Sequence, residues 1–186
     1  MACNLSGGFT IDCGRVVGGL KSVFISQAAA IDLVSLDAFN ISADLVDTIT
    51  ATCFYEFELK RELSSLTVTQ NHDAASGTTM VEQSLSCTFL GQSATEYASL
   101  AEVAYGHRTV IVQTDNNVLY LLGAENGMEV TSFTNETGTA YGDFVGYRLE
   151  MTGREKINYF ATPLAGWPTT GDASIITGTT GATICT

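Results

Sequence analysis

One alternating stretch indicates the fold class of this chain, namely Val81-Glu82-Gln83-Ser84-Leu85-Ser86-Cys87-Thr88-Phe89. Its odd-numbered positions are apolar apart from Gln83, and its even-numbered positions carry only carboxylate or hydroxyl side chains. A period of two is typical of a β-strand with one face on a core and the other in water. The sequence therefore predicts a long, half-buried strand here.

The earlier segment from Cys53 to Glu62 alternates in the same way. Its odd-numbered positions carry Cys53, Tyr55, Phe57, Leu59 and Arg61. Its even-numbered positions carry Phe54, Glu56, Glu58, Lys60 and Glu62. This pattern predicts a second half-buried strand with a charged outer face.

The inward parity changes from odd to even just before Leu66, which predicts a β-bulge near Ser64 and Ser65. One extra residue in a strand flips every later side chain to the other face. The polar stretch from Asn71 to Thr79 predicts a turn. One long hairpin is therefore expected, built from Cys53–Gln70 and Met80–Leu90.

The segment from Ser93 to Tyr105 has the pattern of an α-helix. Ser93 and Glu96 form an S-x-x-E capping box, whose side chains satisfy backbone N–H groups at the first turn. Apolar residues then recur at helical spacing until Gly106. The face expected to pack on a sheet holds Tyr97, Leu100, Ala101 and Ala104.

Shorter β patterns occupy much of the remaining chain. The run Asp115-Asn116-Asn117 tolerates positive φ and predicts a tight hairpin turn between its flanking strands. The predicted strands are Lys21–Ser26, Ala29–Val34, Arg108–Thr114, Val118–Gly123, Met128–Phe133 and Phe144–Thr152. In the last strand, the inward residues are expected to be Val145, Tyr147, Leu149 and Met151, against Arg148 and Glu150. The expected core contains Tyr55, Phe57, Leu59, Val81, Leu85, Phe89, Leu100, Val110, Val112, Tyr147 and Leu149.

Length and composition favour one mostly β domain over residues 1–186. Hydrophobic residues make up 45% and charged residues 15%, and glycine (18) far exceeds proline (2), which suits strands joined by glycine turns. Residues 1–19 are expected to form an N-terminal arm, and residues 171–186 a C-terminal tail or edge strand. The expected fold is mostly β, with one helix at about residues 93–105 that packs on a sheet.

The formal charge of −12 results from 20 acidic and 8 basic residues. Such a chain repels a phosphate backbone within the Debye length, so tight nucleic-acid binding is not expected. Membrane insertion is not expected either, because the longest apolar runs are too short to span a bilayer. The first residues lack the pattern of a secretory signal, so synthesis for the cytosol is expected.

Motifs for catalysis or cofactor binding are not evident. The five cysteines include no C-x-x-C pair, and neither His72 nor His107 lies in a nucleophile signature. The Asp115-Asn116-Asn117 run lacks the glutamate required at the twelfth position of a calcium loop. We therefore expect a protein that is not an enzyme, with no cofactor and no metal. Glu56 and Glu58, ~7 Å apart along one strand, leave a glycoside hydrolase as an alternative.

The order of segments between about Cys53 and Ala161 resembles that of the tail tube (major tail) proteins of phages and prophages, particularly forms found in Bacteroidetes. The opening Cys3 to Lys21, which ends Gly18-Gly19-Leu20-Lys21, is similar as well. The resemblance covers more than half of the chain and consists of framework patterns. Apart from the helix, the matching stretches are Phe54-Tyr55-Glu56-Phe57-Glu58-Leu59-Lys60, Gly77-Thr78-Thr79-Met80-Val81-Glu82-Gln83-Ser84-Leu85, Leu121-Leu122-Gly123-Ala124-Glu125-Asn126-Gly127-Met128-Glu129-Val130 and Thr137-Gly138-Thr139-Ala140-Tyr141-Gly142-Asp143.

This resemblance implies a β-sandwich with a flanking helix, of which six copies close into a ring. The inner hairpins of the ring would form a continuous β-barrel, and rings would stack around a tape measure protein. A tail terminator and baseplate or tail-tip proteins would cap the tube, and DNA would pass through without specific binding. The implied location is the virion tail, assembled in the bacterial cytoplasm. Another ring component of the virion, such as a tail terminator or head-tail connector, is the alternative.

Two sets of site residues follow from these expectations. The lumen-facing candidates lie on the polar side of the predicted hairpin and are Glu56, Glu58, Glu62, Glu82, Ser84, Ser86 and Thr88. The subunit-contact candidates are Asn71, His72, Asp73, Glu125, Asn126 and Asn135. They lie in the predicted loops Asn71–Thr79 and Glu125–Gly142, which are expected to be ordered mainly by neighbouring subunits.

Overall fold

The computed structural model describes residues 17–26, 53–156, 158–161 and 183–184. These residues form two β-sheets and one α-helix, which confirms the expected mostly β fold with one flanking helix. In chain order the elements are β1 (Leu20–Ser26), β2 (Cys53–Glu58), β3 (Ser65–Asp73), β4 (Thr78–Leu90), α1 (Ala94–Val103), β5 (Val110–Thr114), β6 (Leu119–Leu122), β7 (Glu129–Glu136), β8 (Gly146–Glu155), β9 (Tyr159–Ala161) and β10 (Thr183–Ile184).

The first sheet has six strands in the order β10-β2-β1-β5-β6-β9 and is antiparallel except for the pair β10 and β2. The second sheet has four antiparallel strands in the order β3-β4-β8-β7. The long strand predicted at residues 81–89 is part of β4, which lies inside the second sheet and pairs with both β3 and β8.

The hydrophobic core lies between the two sheets and under the helix, and both sheets contribute buried side chains to it. All but two of the expected core residues are buried. Phe57 is half-buried and packs on the core, with its ring centroid 5.8 Å from that of Phe89. Tyr55 is 38% exposed, so that prediction is wrong. Along this face of β2, Phe57 is the residue that contacts the second sheet. Tyr55 lies two residues earlier in the strand and is therefore further from that sheet.

The chain crosses from the first sheet to the second between β2 and β3, which overturns the predicted long hairpin. The N–H of Leu59 donates to the C=O of Lys21 in the first sheet (3.3 Å), whereas the N–H of Lys60 donates to the C=O of Thr88 in the second (2.9 Å). Accordingly, β2 pairs with β1, and only β3 pairs with β4. The change of parity before Leu66 is therefore a change of sheet, and the predicted bulge is wrong.

A turn at residues 61–63 completes this crossover. Glu62 has φ 65°, a left-handed conformation that residues other than glycine rarely adopt. The hydroxyl of Thr88 donates to the C=O of Leu63 (3.2 Å), and the N–H of Thr88 donates to the hydroxyl of Ser64 (3.0 Å). These two hydrogen bonds hold the turn against Thr88, near the end of β4.

The outer face of the first sheet is only partly the charged surface that the sequence predicted. Phe24, Phe54 and Ile111 lie on this face, and none is more than 1% exposed. Glu56 and Glu58 share the face and are exposed. One face of β2 therefore changes from apolar to charged along its length, and a period of two alone does not predict such a change.

The helix begins where the capping box places it. Ser93 has an extended backbone, and its hydroxyl accepts the N–H of Glu96 at 3.1 Å. The helix ends at Val103, and Gly106 follows with φ 84°. The start signal is therefore confirmed, whereas the helix ends two residues before the predicted end at Tyr105.

The buried face of the helix agrees with the predicted one at Leu100 but differs at Tyr97 and Ala104, which are exposed, and at Val103, which is buried. Leu100 and Val103 are buried, whereas Ala104 is the C-cap residue and is exposed. Ala101 is half-buried, and Tyr97 is 47% exposed. The prediction for Ala104 is wrong because the helix ends one residue before that position.

The strands after the helix follow their patterns closely. β5 and β6 form the predicted hairpin, and Asn117 in its turn has φ 60°. In β8 the buried and exposed residues alternate as predicted. Val145, which was expected to point inward, precedes the strand and is 37% exposed.

Several predicted segments lie outside the described residues, namely the strand Ala29–Val34, residues 1–16 of the arm, and residues 171–182 and 185–186 of the tail. Residues 17–19 lie at the β5–β6 turn, where the backbone of Val17 makes two hydrogen bonds with the amide of Asn116 (3.1 and 2.6 Å). Thr183 and Ile184 form β10 at one edge of the first sheet.

Replacing Ser93 by Ala is expected to lower the free energy of unfolding by about 1 kcal/mol, because the N–H of Glu96 loses its side-chain acceptor. Urea denaturation followed by circular dichroism measures this loss. Ser99→Ala is the matched control, since Ser99 is exposed within the same helix and its hydroxyl bonds only to the C=O of Thr95. The control should change stability by less than ~0.5 kcal/mol. Equal losses in both variants would contradict the capping role.

Candidate assembly surface

The outer face of the four-stranded sheet carries almost only hydroxyl and charged side chains. The pairing register places these side chains next to one another across all four strands. We call this surface the polar face. Its members are Ser65, Thr67 and Thr69 of β3, Glu82, Ser84 and Ser86 of β4, Arg148, Glu150, Thr152 and Arg154 of β8, and Glu129, Ser132, Thr134 and Glu136 of β7.

Both arginines of the polar face are paired with glutamates of neighbouring strands. Arg154 lies 3.3 Å from Glu82, and Arg148 lies 3.1 Å from Glu136. Exposed pairs of this kind contribute only ~0–1 kcal/mol to stability, but each neutralises a cation. Glu150 is exposed and has no ion pair among the described residues. The polar face is therefore net negative, and neither of its arginines is left unpaired to hold a phosphate.

The predicted lumen-facing residues are divided between three places. The polar face contains Glu82, Ser84 and Ser86. Thr88 has the same parity but is only 2% exposed, because the turn at residues 61–63 covers it and accepts its hydroxyl at the C=O of Leu63. Glu62 lies in that turn, and Glu56 and Glu58 lie on the first sheet. The single lining predicted from the sequence is thus wrong, because the hairpin that would have carried it does not form.

Sequence reasoning missed the contribution of β7 and β8 to the polar face. The outward positions of Arg148 and Glu150 were predicted correctly, but not that β8 pairs with β4. The available signal was the matching length of the two alternating stretches. That signal does not specify which strands become neighbours, because pairing depends on tertiary contacts.

β3 and β7 are the edges of the four-stranded sheet among the described residues. The N–H and C=O of Thr88 point to the β3 side, where they bond to Ser64 and Lys60. Because backbone groups alternate in direction along a strand, the odd-numbered residues of β3 face β4. The backbone groups of Leu66 and Val68 therefore point to the edge, where they form a template for another strand.

The β3–β4 hairpin extends beyond the other strands of its sheet. β8 ends opposite Val81, whereas the pairing of β3 with β4 continues to Asp73 and Thr78. His72 Nδ1 lies 2.9 Å from the hydroxyl of Thr79, which ties the two arms of the protruding part together. The predicted loop at residues 71–79 is therefore mainly strand, with a tip at residues 74–77.

Asp73 orders this tip from within the chain. Its carboxylate accepts the N–H of Ala75 (2.9 Å) and the hydroxyl of Ser76 (2.8 Å). These bonds, the Ala75 N–H foremost, lower the pKa of Asp73 below its ordinary value. These bonds lie within one chain, and the expectation that neighbouring subunits mainly order this segment stays a prediction.

The loop at residues 123–128 is supported by two buried polar side chains. Gln83 is fully buried, and its Oε1 accepts the first N–H of the loop at 3.0 Å. Glu155 is 2% exposed, and its Oε1 accepts the N–H groups of Glu125 and Asn126, each at 3.0 Å. Desolvation raises the pKa of Glu155 in spite of these bonds. Sequence reasoning missed Glu155, although it continues the inward parity of β8.

The predicted loop from residue 125 to 142 is interrupted by β7, which leaves two shorter loops at residues 123–128 and 137–145. Glu125 forms an ion pair with Lys156 at 3.2 Å, and the amide of Asn126 donates to the C=O of Arg154 at 2.7 Å. Asn135 lies in β7, where its Oδ1 accepts from the amide of Gln92 at 3.0 Å. These candidates bond within their own chain, and their contact with another subunit stays a prediction.

The two histidines lie on different parts of the fold. His72 is in β3, near the end of the protruding hairpin, and His107 Nδ1 lies 3.5 Å from a carboxylate oxygen of Glu129. Cys87 is buried, and this burial raises the pKa of its thiol to about 12, so the thiol stays protonated at neutral pH. In the described part of the chain, no three His, Cys, Asp or Glu side chains are grouped so as to hold a metal ion.

Comparisons of the chain with protein-family models, with curated proteins and with solved structures found no match. Within residues 17–26, 53–156, 158–161 and 183–184, no helix is long and apolar enough to cross a membrane.

Glu155→Gln is expected to raise the free energy of unfolding at pH 7. A raised pKa means that the folded carboxyl binds its proton more tightly than the unfolded one. The group therefore favours folding below its ordinary pKa of 4.5, and this contribution is lost as the pH rises through the folded pKa. Glutamine keeps an acceptor for the two N–H groups and carries no charge. Its advantage should be largest at pH 7 and vanish near pH ~4, as measured by urea denaturation.

Glu150→Gln is the matched control for this experiment, because Glu150 is exposed on the other face of the same strand. This control should differ from the wild type by less than ~0.5 kcal/mol at pH 7. A Glu155→Gln protein less stable than the wild type at pH 7 would show that the two hydrogen bonds outweigh desolvation.

Proposed function

We propose that this chain is a structural subunit that assembles with copies of itself into a tube through which DNA passes, as the tail tube subunits of phages do. One observation carries the proposal, namely a four-stranded sheet that has two edges, a covered inner side and a net negative polar face. The resemblance of the sequence to tail tube proteins supports the same function.

The strand directions suit closure of this sheet by repetition. Neighbouring strands in the order β3-β4-β8-β7 are antiparallel, so β3 and β7 run in opposite directions. If β7 of one copy lies beside β3 of the next in a ring, the new pair is antiparallel as well. Every copy then continues the pattern, and the ring removes both edges, which otherwise invite uncontrolled pairing.

The size of such a ring is compatible with a DNA conduit. Six copies, the number that the resemblance implies, give a barrel of about 24 strands. At ~4.8 Å per strand the circumference is ~115 Å and the diameter ~37 Å, before the increase that strand tilt brings. This opening is wider than a DNA duplex.

The polar face is the side of the barrel available for its lumen. The opposite side of the sheet packs on the first sheet and forms the hydrophobic core. A lumen lined by hydroxyl groups, neutralised arginines and the unpaired carboxylate of Glu150 offers little to hold a polyanion, whereas free Lys or Arg side chains would bind phosphates. DNA would therefore pass without specific contacts.

The protruding hairpin supports stacking of rings into a tube. Strand directions place its tip, residues 74–77, at one end of the barrel, beyond the other strands. A segment that extends past its own ring is placed to contact the next one along the axis. The tape measure protein, the tail terminator and the baseplate or tail-tip proteins are further partners that the resemblance implies. The location would be the virion tail, assembled in the bacterial cytoplasm.

Two alternatives make different predictions. A tail terminator or head-tail connector would form one closed ring that does not polymerise. A glycoside hydrolase that uses Glu56 and Glu58 would lose activity when either carboxylate is replaced. Negative-stain microscopy of the concentrated protein distinguishes these functions: long tubes support the proposal, lone rings support the first alternative, and monomers at every concentration contradict both ring functions.

Val68→Pro is expected to abolish tubes while the monomer stays folded. The N–H of Val68 points to the edge of β3, so proline removes a donor that only a neighbouring copy would use. Sedimentation and circular dichroism measure assembly and folding. Ala94→Pro is the control, because Ala94 is exposed at the first helical position, where proline is tolerated. Normal tubes from the Val68→Pro variant would exclude β3 from the contact.

Glu150→Lys is expected to leave assembly intact and to make the tube retain DNA. The change adds an exposed cation near the middle of the polar face, where it can bind phosphate. DNA adsorbed by purified tubes should increase most at low salt, where screening is weakest. Glu102→Lys is the control, since Glu102 is exposed on the helix. Equal adsorption by both variants would show that the polar face does not line the lumen.

A further inference from the structure

One end of the four-stranded sheet carries a row of exposed apolar side chains, which we call the apolar row. It consists of Leu63 before β3, Leu90 at the end of β4, Val145 before β8 and Tyr141 after β7. Their exposed fractions are 50%, 56%, 37% and 113%, respectively. Leu63, Leu90 and Val145 adjoin or end strands, whereas Tyr141 lies at the corner of the loop between β7 and β8. The opposite end of the sheet is the polar hairpin tip, so the two ends differ in chemistry.

Tyr141 is held out into water by a well-ordered turn. The N–H of Asp143 donates to the C=O of Ala140 at 3.1 Å, which places Tyr141 at the corner. The carboxylate of Asp143 accepts the N–H groups of Thr139 (2.8 Å) and Ala140 (2.7 Å), and these bonds keep its pKa below the ordinary value. Because the backbone of this turn is already ordered, little further backbone entropy is lost when a partner covers the aromatic side chain, and exposed tyrosines often anchor interfaces.

Leu63 is also held by hydrogen bonds, in the turn at residues 61–63. Its C=O accepts the hydroxyl of Thr88, and the neighbouring Ser64 hydroxyl accepts the N–H of Thr88. The left-handed backbone of Glu62 adds a strained residue next to it. Strain of this kind persists only where the surrounding structure imposes it, and it is frequent at functional positions.

The loop after β7, which holds Tyr141, and the turn before β3, which holds Leu63, are separated in one chain but lie on either side of the contact between copies in the proposed ring. Within one copy, β7 and β3 are three strand spacings apart, or ~14 Å. In a ring that places β7 beside β3 of the next copy, the same two strands are ~5 Å apart. Both residues lie at the same end of the sheet, since β3 begins where β7 ends.

We propose that Tyr141 of each copy packs on Leu63 of the next copy, so that the apolar rows join into a closed collar at one end of the barrel. This inference rests on the proposed function. The partner that covers Tyr141 is thus a second copy of this chain. Charge supports the pairing, because the exposed cations Lys60 and Arg61 precede Leu63 and the carboxylate of Asp143 follows Tyr141.

Replacing Tyr141 by Ala is expected to raise the critical concentration for tube assembly about tenfold, the effect of losing one well-packed aromatic anchor. Tyr141→Phe keeps the ring and should assemble like the wild type. Tyr105→Ala is the matched control, because Tyr105 is also exposed (77%) but follows the helix and is not part of the row. Unchanged assembly of the Tyr141→Ala variant would overturn the inference.

Cysteine cross-linking tests the pairing directly. An oxidised equimolar mixture of Leu63→Cys and Tyr141→Cys proteins should give disulfide-linked dimers, and the double variant should give a ladder of larger species. Neither single variant alone should do so, which controls for the native cysteines. Bridging requires Cα atoms within ~7 Å, so only neighbouring copies can react.

The outcomes separate this inference from the proposed function. Tubes that form without cross-links overturn the Tyr141–Leu63 contact and leave the tube function standing. A protein that forms no tubes overturns both.

Discussion

The change of sheet between β2 and β3 is the constraint on which the rest of the fold depends. Two consecutive N–H groups, those of Leu59 and Lys60, donate to different sheets. This junction lets each sheet bury one face on the other, and it places β3 at an edge beside β4. If β2 continued into β3 as one strand, the two sheets would not share a core, and the polar face would have a different composition.

A second constraint is the buried polar pair beneath residues 123–128. Gln83 and Glu155 lie on the core side of β4 and β8, where apolar residues would be expected. They satisfy backbone N–H groups of a loop that would otherwise bury unpaired donors, and such donors cost about 1–3 kcal/mol each. The carboxylate of Glu155 loses hydration in this position, which explains its raised pKa. The pair links the second sheet to the end of β6 and so fixes how the two sheets meet.

The distribution of side chains on the four-stranded sheet is what connects the fold with assembly. One face is apolar and buried, the other is hydroxyl-rich and net negative, and the two ends are polar and apolar. A subunit with distinct faces, edges and ends can repeat in a ring and along an axis without alternative contacts of equal strength. In the proposed tube, the net charge of −12 would oppose binding of a polyanion, and the ion pairs of Arg148 and Arg154 neutralise the two cations of the polar face.

The sequence by itself determined the elements, because their signals are local. The alternation in residues 81–89 specified β4, the Ser93 capping box specified the start of the helix, and Asn117 marked a hairpin turn. Most core residues followed from parity for the same reason.

Only the tertiary structure decided which strands became neighbours. A parity change before Leu66 is the same for a bulge and for a change of sheet, and the outward glutamates of β2 and β4 look alike until each strand has a partner. The sequence therefore placed Glu56 and Glu58 on the same face as Glu82, whereas they lie on different sheets, since membership of a face depends on pairing between strands that are distant in the chain.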